Sequence, residues 1–249
     1  MNEPRAVVGT FMDALGRYDT KTMGDCLHEG YIQHNPHAPT GSAFILGLGP
    51  TLQEAGFAFD VHRTIQDGQL VLTHATYRNA QVLGAETVVV FDIWRVAGEK
   101  IVEHWDCIEP LASDPVGGRT QTDGPTEVID RNKTEANKRL VETFVTSVLI
   151  NENWEEFQSF LRDGIYKQHN PAFEDGQEGL EGARQIARIH KIHRVIGEGN
   201  FVLTQSEGEV KAKTYAFYDL FRVDDGKLVE HWDVLQEIPA EMAHENGMF

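Results

Sequence analysis

Basic residues are scarce in this chain of 249 residues: 22 lysines and arginines stand against 39 aspartates and glutamates, a formal charge of -17. Nothing in such a chain could neutralise a run of phosphates, which excludes nucleic acid as a partner and disfavours an anionic membrane surface. No apolar stretch approaches the roughly 18 residues that would span a bilayer. The opening Met1-Asn2-Glu3-Pro4-Arg5 lacks the basic start and apolar run of a secretory signal, so the expected location is cytoplasmic. Cysteine is nearly missing. Cys26 and Cys107 form no CxxC motif or disulfide framework and read as ordinary thiols in a reducing compartment. A strong nucleophile motif and a glycine-rich phosphate loop are missing too, which suits binding without turnover, although proton-transfer enzymes need neither.

What is present is present twice. Val90-Phe91-Asp92-Ile93-Trp94-Arg95-Val96 and Ile101-Val102-Glu103-His104-Trp105-Asp106 return as Phe217-Tyr218-Asp219-Leu220-Phe221-Arg222-Val223 and Leu228-Val229-Glu230-His231-Trp232-Asp233. Without a gap, residues 92–106 match 219–233 at nine of fifteen positions, where unrelated segments would agree at about one. Each copy predicts a β-hairpin around Ala97-Gly98-Glu99 or Asp224-Asp225-Gly226. A three-residue loop would set Asp92 opposite His104 and Asp219 opposite His231. Alternation then puts Asp106 on the same face as Asp92 and His104, among Val90, Trp94 and Val102, while Glu103 and Trp105 point away. Charged groups among apolar neighbours, with Phe217, Phe221 and Val229 in the second copy, suggest a lined cavity. A single such copy would read equally well as solvated surface.

The rest of the chain repeats as well. Val7, Val8, Phe11 and Leu15 predict an amphipathic opening helix, and Leu140, Val141, Phe144, Val145 and Val148 its counterpart over 139–149. A shorter helix follows, with Asn153 as cap and Glu156 three residues on. Both copies then reach Tyr31-Ile32-Gln33-His34-Asn35-Pro36 and Tyr166-Lys167-Gln168-His169-Asn170-Pro171, where proline forces the preceding asparagine out of helix. Turn duty needs only Asn-Pro; the Tyr, Gln and His offer donors and acceptors suited to a bound polar group. A third helix is predicted over Leu180–Ile189, interrupted in the first copy at Gly49-Pro50. Short strands follow at 70–72 and 201–203. His62 and His193 read as packing or surface residues, and His74, replaced by Gln205 in the second copy, could act only in the first. The division expected is a first copy over 1–112, a linker or arm over 113–132 rich in Pro and Gly, and a second copy with its tail over 133–249.

A helical hairpin, a Tyr-x-Gln-His-Asn-Pro loop, a third helix and strands ending in Gly226-Lys227-Leu228-Val229-Glu230-His231-Trp232-Asp233 resemble the SnoaL-like polyketide cyclases of the nuclear-transport-factor-2-like superfamily. The resemblance covers nearly the whole chain as two units and weakens at Ala97-Gly98-Glu99-Lys100 and around Pro50. It implies an α+β fold of two tandem cone-shaped domains, each a curved, largely antiparallel sheet wrapped on a helix hairpin around an apolar pocket. It also implies an intramolecular aldol-type cyclase, lyase or isomerase that needs no metal or cofactor, with Asp106 and Asp233 as general acid or base. A partly buried carboxylate, its pKa raised toward the working pH, suits proton abstraction beside a carbonyl. His104 and His231, braced by Asp92 and Asp219, would donate to the enolate. Gln33, His34, Asn35, Gln168, His169 and Asn170 would meet the substrate, with Tyr31 and Tyr166 at the mouth.

Two other readings compete: a small-molecule-binding or scaffold protein without turnover, and a metal centre built from His34, His104, Asp92 and Asp106. The partner expected is a small carbonyl or polyketide-like molecule. Trp105 and Trp232, pointing away from the pockets with Glu103 and Glu230, suggest that the halves pair as an intramolecular pseudo-dimer, open to further homo-oligomerisation.

Overall fold

In the computed structural model, which describes residues 3–249, the apolar spacing of the opening segment produces α1 (Pro4–Gly16), with proline in its first turn where a missing N–H costs nothing. α2 (Thr20–Cys26) is capped by Asp19, whose carboxylate accepts from the Thr22 amide and hydroxyl. Then come β1 (Leu27–Gln33), α3 (Ser42–Gly47), α4 (Gly49–Ala55), β2 (Ala58–Asp67), β3 (Leu70–Arg78), β4 (Thr87–Ala97) and β5 (Lys100–Pro110). The helix break at Gly49-Pro50 is as expected. These strands form one sheet in the order β1-β5-β4-β3-β2, parallel only at β1 with β5. Phe11 of α1 packs on Trp94 at the centre of its inner face.

The second unit follows the same plan. α5 (Thr134–Phe144) continues as a π-helical turn through Val145–Ile150, and α6 (Phe157–Phe160), β6 (Lys167–Gln168), α7 (Gly176–Ile186), β7 (Ala187–Glu198), β8 (Phe201–Val210), β9 (Lys213–Asp224) and β10 (Lys227–Glu237) complete it. Its sheet order is β6-β10-β9-β8-β7, again with one parallel pair. Two expectations need correction. The Asn153 side chain does not cap a helix but donates to Ser147 Oγ. The third helix runs over Gly176–Ile186, because its last apolar residues, up to Ile189, belong to the long strand β7.

The hairpins also differ from expectation. Ala97 pairs with Lys100 and Asp224 with Lys227, so each turn has two residues, Gly98-Glu99 or Asp225-Gly226, all at positive φ. Both central residues of such a tight turn need left-handed backbone. A two-residue turn alone would reverse the faces of the returning strand. An extra residue restores them: Val102 and Val229 are bulged out of the ladder, so Asp92 faces Asp106 and Trp94 faces His104, with Asp219 facing Asp233. The face was read correctly, and the opposite partner was not.

The division of the chain differs too. The first unit runs through Leu111 and takes in Pro239–Phe249, and the second is Ala112–Ile238. Residues 113–132 are therefore not a free linker. Val116 N–H donates to Pro171 O in the second unit, and Ala243 N–H donates to Pro36 O in the first. Thr120 O and Gly247 O likewise each meet the histidine of the loop they cover, His169 and His34. Val116 and Ala243, Thr120 and Gly247, and the buried Gln121 and Met248 all stand 127 residues apart. That is the hairpin's own offset, so both arms belong to the repeat although their sequences have lost all likeness.

Candidate active site

The inner face of each sheet brings two carboxylates and an imidazole together below the helices. In the first unit Asp92 on β4 and His104 and Asp106 on β5 are buried. His104 Nε2 lies 3.0 Å from Asp92 Oδ1, and its Nδ1 lies 3.1 Å from Gln33 Oε1. Gln33 Oε1 also accepts the backbone N–H groups of His34 and Asn35, which fixes the amide with its oxygen toward the ring. Both imidazole nitrogens thus face acceptors, the arrangement of a doubly protonated ring. Trp94 stacks on that ring with centroids 3.9 Å apart, a favourable lid for a cation.

Asn35 positions the second carboxylate. Its Oδ1 accepts the His37 N–H, turning its amide nitrogen toward Asp106, where it reaches both oxygens at 3.0 and 2.9 Å. The Asn-Pro turn thereby becomes a fixed donor. Burial pushes the Asp106 carboxyl up to about 6; the Asp92 charge adds to this, while the His104 charge and the Asn35 hydrogen bond oppose it. Asp92 is held differently, its Oδ2 accepting from Tyr77 Oη at 2.7 Å and Thr73 Oγ1 at 3.3 Å. Burial and the nearby carboxylates raise the Tyr77 phenol well above its ordinary value, so it stays a donor. Over this polar floor lies a cavity of about 140 Å³, walled by Phe11, Leu15, Leu52, Phe57, Trp94 and Ile108 among others.

The second unit repeats the core of this geometry. His231 sits 3.1 Å from Asp219 Oδ1 and 3.0 Å from Gln168 Oε1, and Asn170 donates to Asp233 Oδ2 at 2.8 Å. Burial again pushes Asp233 up to about 6. Burial alone would lower the His231 pKa, but its bond to Asp219 and the charges of Asp233 and Asp219 outweigh this and raise it. The cavity, about 80 Å³, is smaller. Tyr77 has become Gly208, where any Cβ would meet Arg188 O and the Phe217 ring, and Phe217 stands where the first unit has Val90. Without that tyrosine Asp219 Oδ2 is buried with no hydrogen-bond partner; so are Asp233 Oδ1, because Asn170 reaches only Oδ2, and Thr204 Oγ1, because Phe221 replaces the indole that in the first unit donates to Thr73.

The structure places the expected residues unevenly. Gln33, Asn35, Gln168 and Asn170 border the cavities, but their polar groups hold the histidine and aspartate. His34 and His169 leave the cavity altogether. Each stacks on a tryptophan, Trp105 or Trp232, and hydrogen-bonds a glutamate, Glu103 or Glu230, that also pairs with Arg95 or Arg222. Each also contacts the covering arm, and both tryptophans are buried. Tyr166 lines the second cavity, whereas Tyr31 lies beneath the first floor, accepting from Gln33. His74 stacks on Phe91, away from the cavity. With both ring nitrogens engaged, neither His104 nor His231 has a free N–H for an enolate or a lone pair for a metal. The ligand atoms of each Asp-His-Asp set lie within 4.8 Å of one another, but a metal there would first have to displace the glutamine or an aspartate. Sequence comparison of the copies missed Tyr77 because the copies differ there; its place two residues from Ala75 and four from Thr73 on one strand face was the available signal.

Residues 8–104 match the SnoaL-like domain. The matched residues all lie in the first unit. Among solved structures the chain is similar to TsrD from Streptomyces laurentii, at 20% identity over 42% of this chain and 90% of that one, with a TM-score of 0.36. It is also similar to IdmH from Streptomyces antibioticus, at 19% identity over 43% and 93%, TM-score 0.37. An NTF2-like protein of unknown function from Cytophaga hutchinsonii matches at 15% identity over 44% and 93%, TM-score 0.37. No curated protein matches the chain.

Proposed function

We propose that the chain is a cofactor-independent general acid/base enzyme of the cyclase, lyase or isomerase type, acting on a small carbonyl compound at the apolar cavity of the first unit, with a second such site in the other. The observation that carries this reading is Asp106, a carboxylate buried at the floor of that cavity and raised to about 6. Such a group is ionised at neutral pH yet basic enough to take an α-proton and return it. Asn35 holds it in line. The His104 ring, both N–H groups already committed, serves as a fixed positive charge beside the developing enolate instead of donating to it. Desolvation by the aromatic walls strengthens that attraction.

The test is deuterium exchange at the α-carbon across a panel of small ketones and 1,3-dicarbonyl compounds, with the carbonyl substrate supplied to the full chain. Asp106→Asn and Asp233→Asn should each fold and each remove about 100-fold or more of the rate belonging to its own unit. Full exchange in the double variant would end the proposal.

A further inference from the structure

The two cavities differ in charge as well as size. No lysine or arginine lines the first. The second is lined by Arg184 of α7, half-buried, its guanidinium 5.3 Å from the centroid of the Trp154 ring, which lines the same cavity. No carboxylate among the described residues pairs with Arg184, although the unit's other arginines are largely matched: Arg162 with Asp224, Arg188 with Glu152, Arg222 with Glu230. The first floor holds Asp92, Asp106 and His104; the second holds the equivalent Asp219, Asp233 and His231 and adds the guanidinium of Arg184 to its wall. The second floor has a further need. Asp219 Oδ2 and Asp233 Oδ1 are buried acceptors lacking donors, a cost that a ligand donor would relieve.

We infer that the second cavity takes a small hydroxy-carboxylate, its carboxylate on Arg184 and its hydroxyl toward the unpartnered oxygens of Asp233 and Asp219, whereas the first takes uncharged ligands. This rests on the reading of the second cavity as a small-molecule site, but not on turnover there. Guanidinium recognises carboxylate through a charge-assisted, two-pronged hydrogen bond, and the Trp154 ring packs against it. A volume of about 80 Å³ limits the ligand to a few carbons beyond those groups. Divergence is legible in the exchange itself: Gly208 and Phe217 remove the tyrosine that satisfies the first-unit aspartate and leave the ligand to supply that donor.

The chain has four tryptophans, of which Trp94 lines the first cavity and Trp154 the second, so indole nitrogen resonances report the sites separately. Full-length protein labelled at tryptophan is titrated with 2-hydroxybutyrate and, in parallel, with its uncharged isostere 2-hydroxybutyramide. The acid is expected to shift Trp154 at a concentration about tenfold or more below the amide, as loss of a charge-assisted bond implies, without that preference at Trp94. Arg184→Gln should bring the acid down to the amide's affinity and leave the amide unchanged. Equal response of Trp154 to acid and amide, no response to either, or a preference that survives Arg184→Gln each overturns the inference. Asp233→Asn made in an Asp106→Asn background separates it from catalysis: if exchange activity survives the double change while Trp154 still prefers the acid, the acid/base role falls and the ligand class stands.

Discussion

Asp233 is the residue at which charge, burial and an unmet hydrogen bond coincide, and its titration has a definite sign. Its folded pKa of about 6 exceeds the ordinary carboxylate value of 3.8, so the native state holds the proton more tightly than the unfolded chain. Stability is therefore greatest below pH 4 for this group and falls as pH rises through 4 to 6. Asp233→Asn keeps an oxygen for Asn170 and places an amide at the unpartnered position. It should stabilise the protein at pH 7 by roughly 1–3 kcal/mol and have no such effect near pH 4. Denaturant unfolding at the two pH values checks this, and a loss of stability at neutral pH would contradict it. In the first unit Tyr77→Phe leaves Asp92 Oδ2 with Thr73 alone. It should slow exchange at the first site by about tenfold and leave the Asp233-dependent rate untouched, as read in an Asp233→Asn background. The same carboxylate pKa values predict that exchange rates rise with pH through about 6.

At the scale of elements, the hairpin owes its working face to two compensating irregularities, the tight turn and the bulge. Alternation along β4 and β5 made the shared face of Asp92, His104 and Asp106 legible, because any even shift in pairing preserves it. The bulge at Val102 was not legible, since an extra residue in a strand leaves no mark on composition. Deleting Val102 should therefore be far more damaging than Val102→Ala: it would turn His104 and Asp106 to the outer face, and loss of cooperative unfolding would report it. Duplication also made the glutamine, histidine and asparagine of the loops legible as a group, but not that His34 and His169 face the arm while Gln33 and Gln168 face the cavity. Neighbours in an extended segment point in opposite directions, so one string serves two neighbourhoods. Tyr77 and Arg184 escaped notice for the opposite reason, being private to one copy.

Across the whole molecule, two aspartates with independent surroundings predict rates that add: the losses from Asp106→Asn and Asp233→Asn should sum to that of the double variant on any substrate both sites accept. The arms break this symmetry in one respect. Residues 239–249 hold the first unit's loop through Asn246 to Gln33 O, His244 to Asn35 O and Gly247 to His34, the loop whose Gln33 and Asn35 fix His104 and Asp106. Removing residues 241–249 should cost exchange at the first site by about tenfold or more while sparing the second, a difference measurable in the single-aspartate variants. The first unit, earliest in the chain, thus depends on residues translated after the whole of the second. At roughly 5–20 residues per second, a ribosome that has completed Leu111 needs on the order of ten seconds more to deliver Phe249. On a nascent chain the later half can assemble all of its parts first, and the earlier half waits with its loop uncovered, which makes that interval the natural point for a chaperone or protease to act.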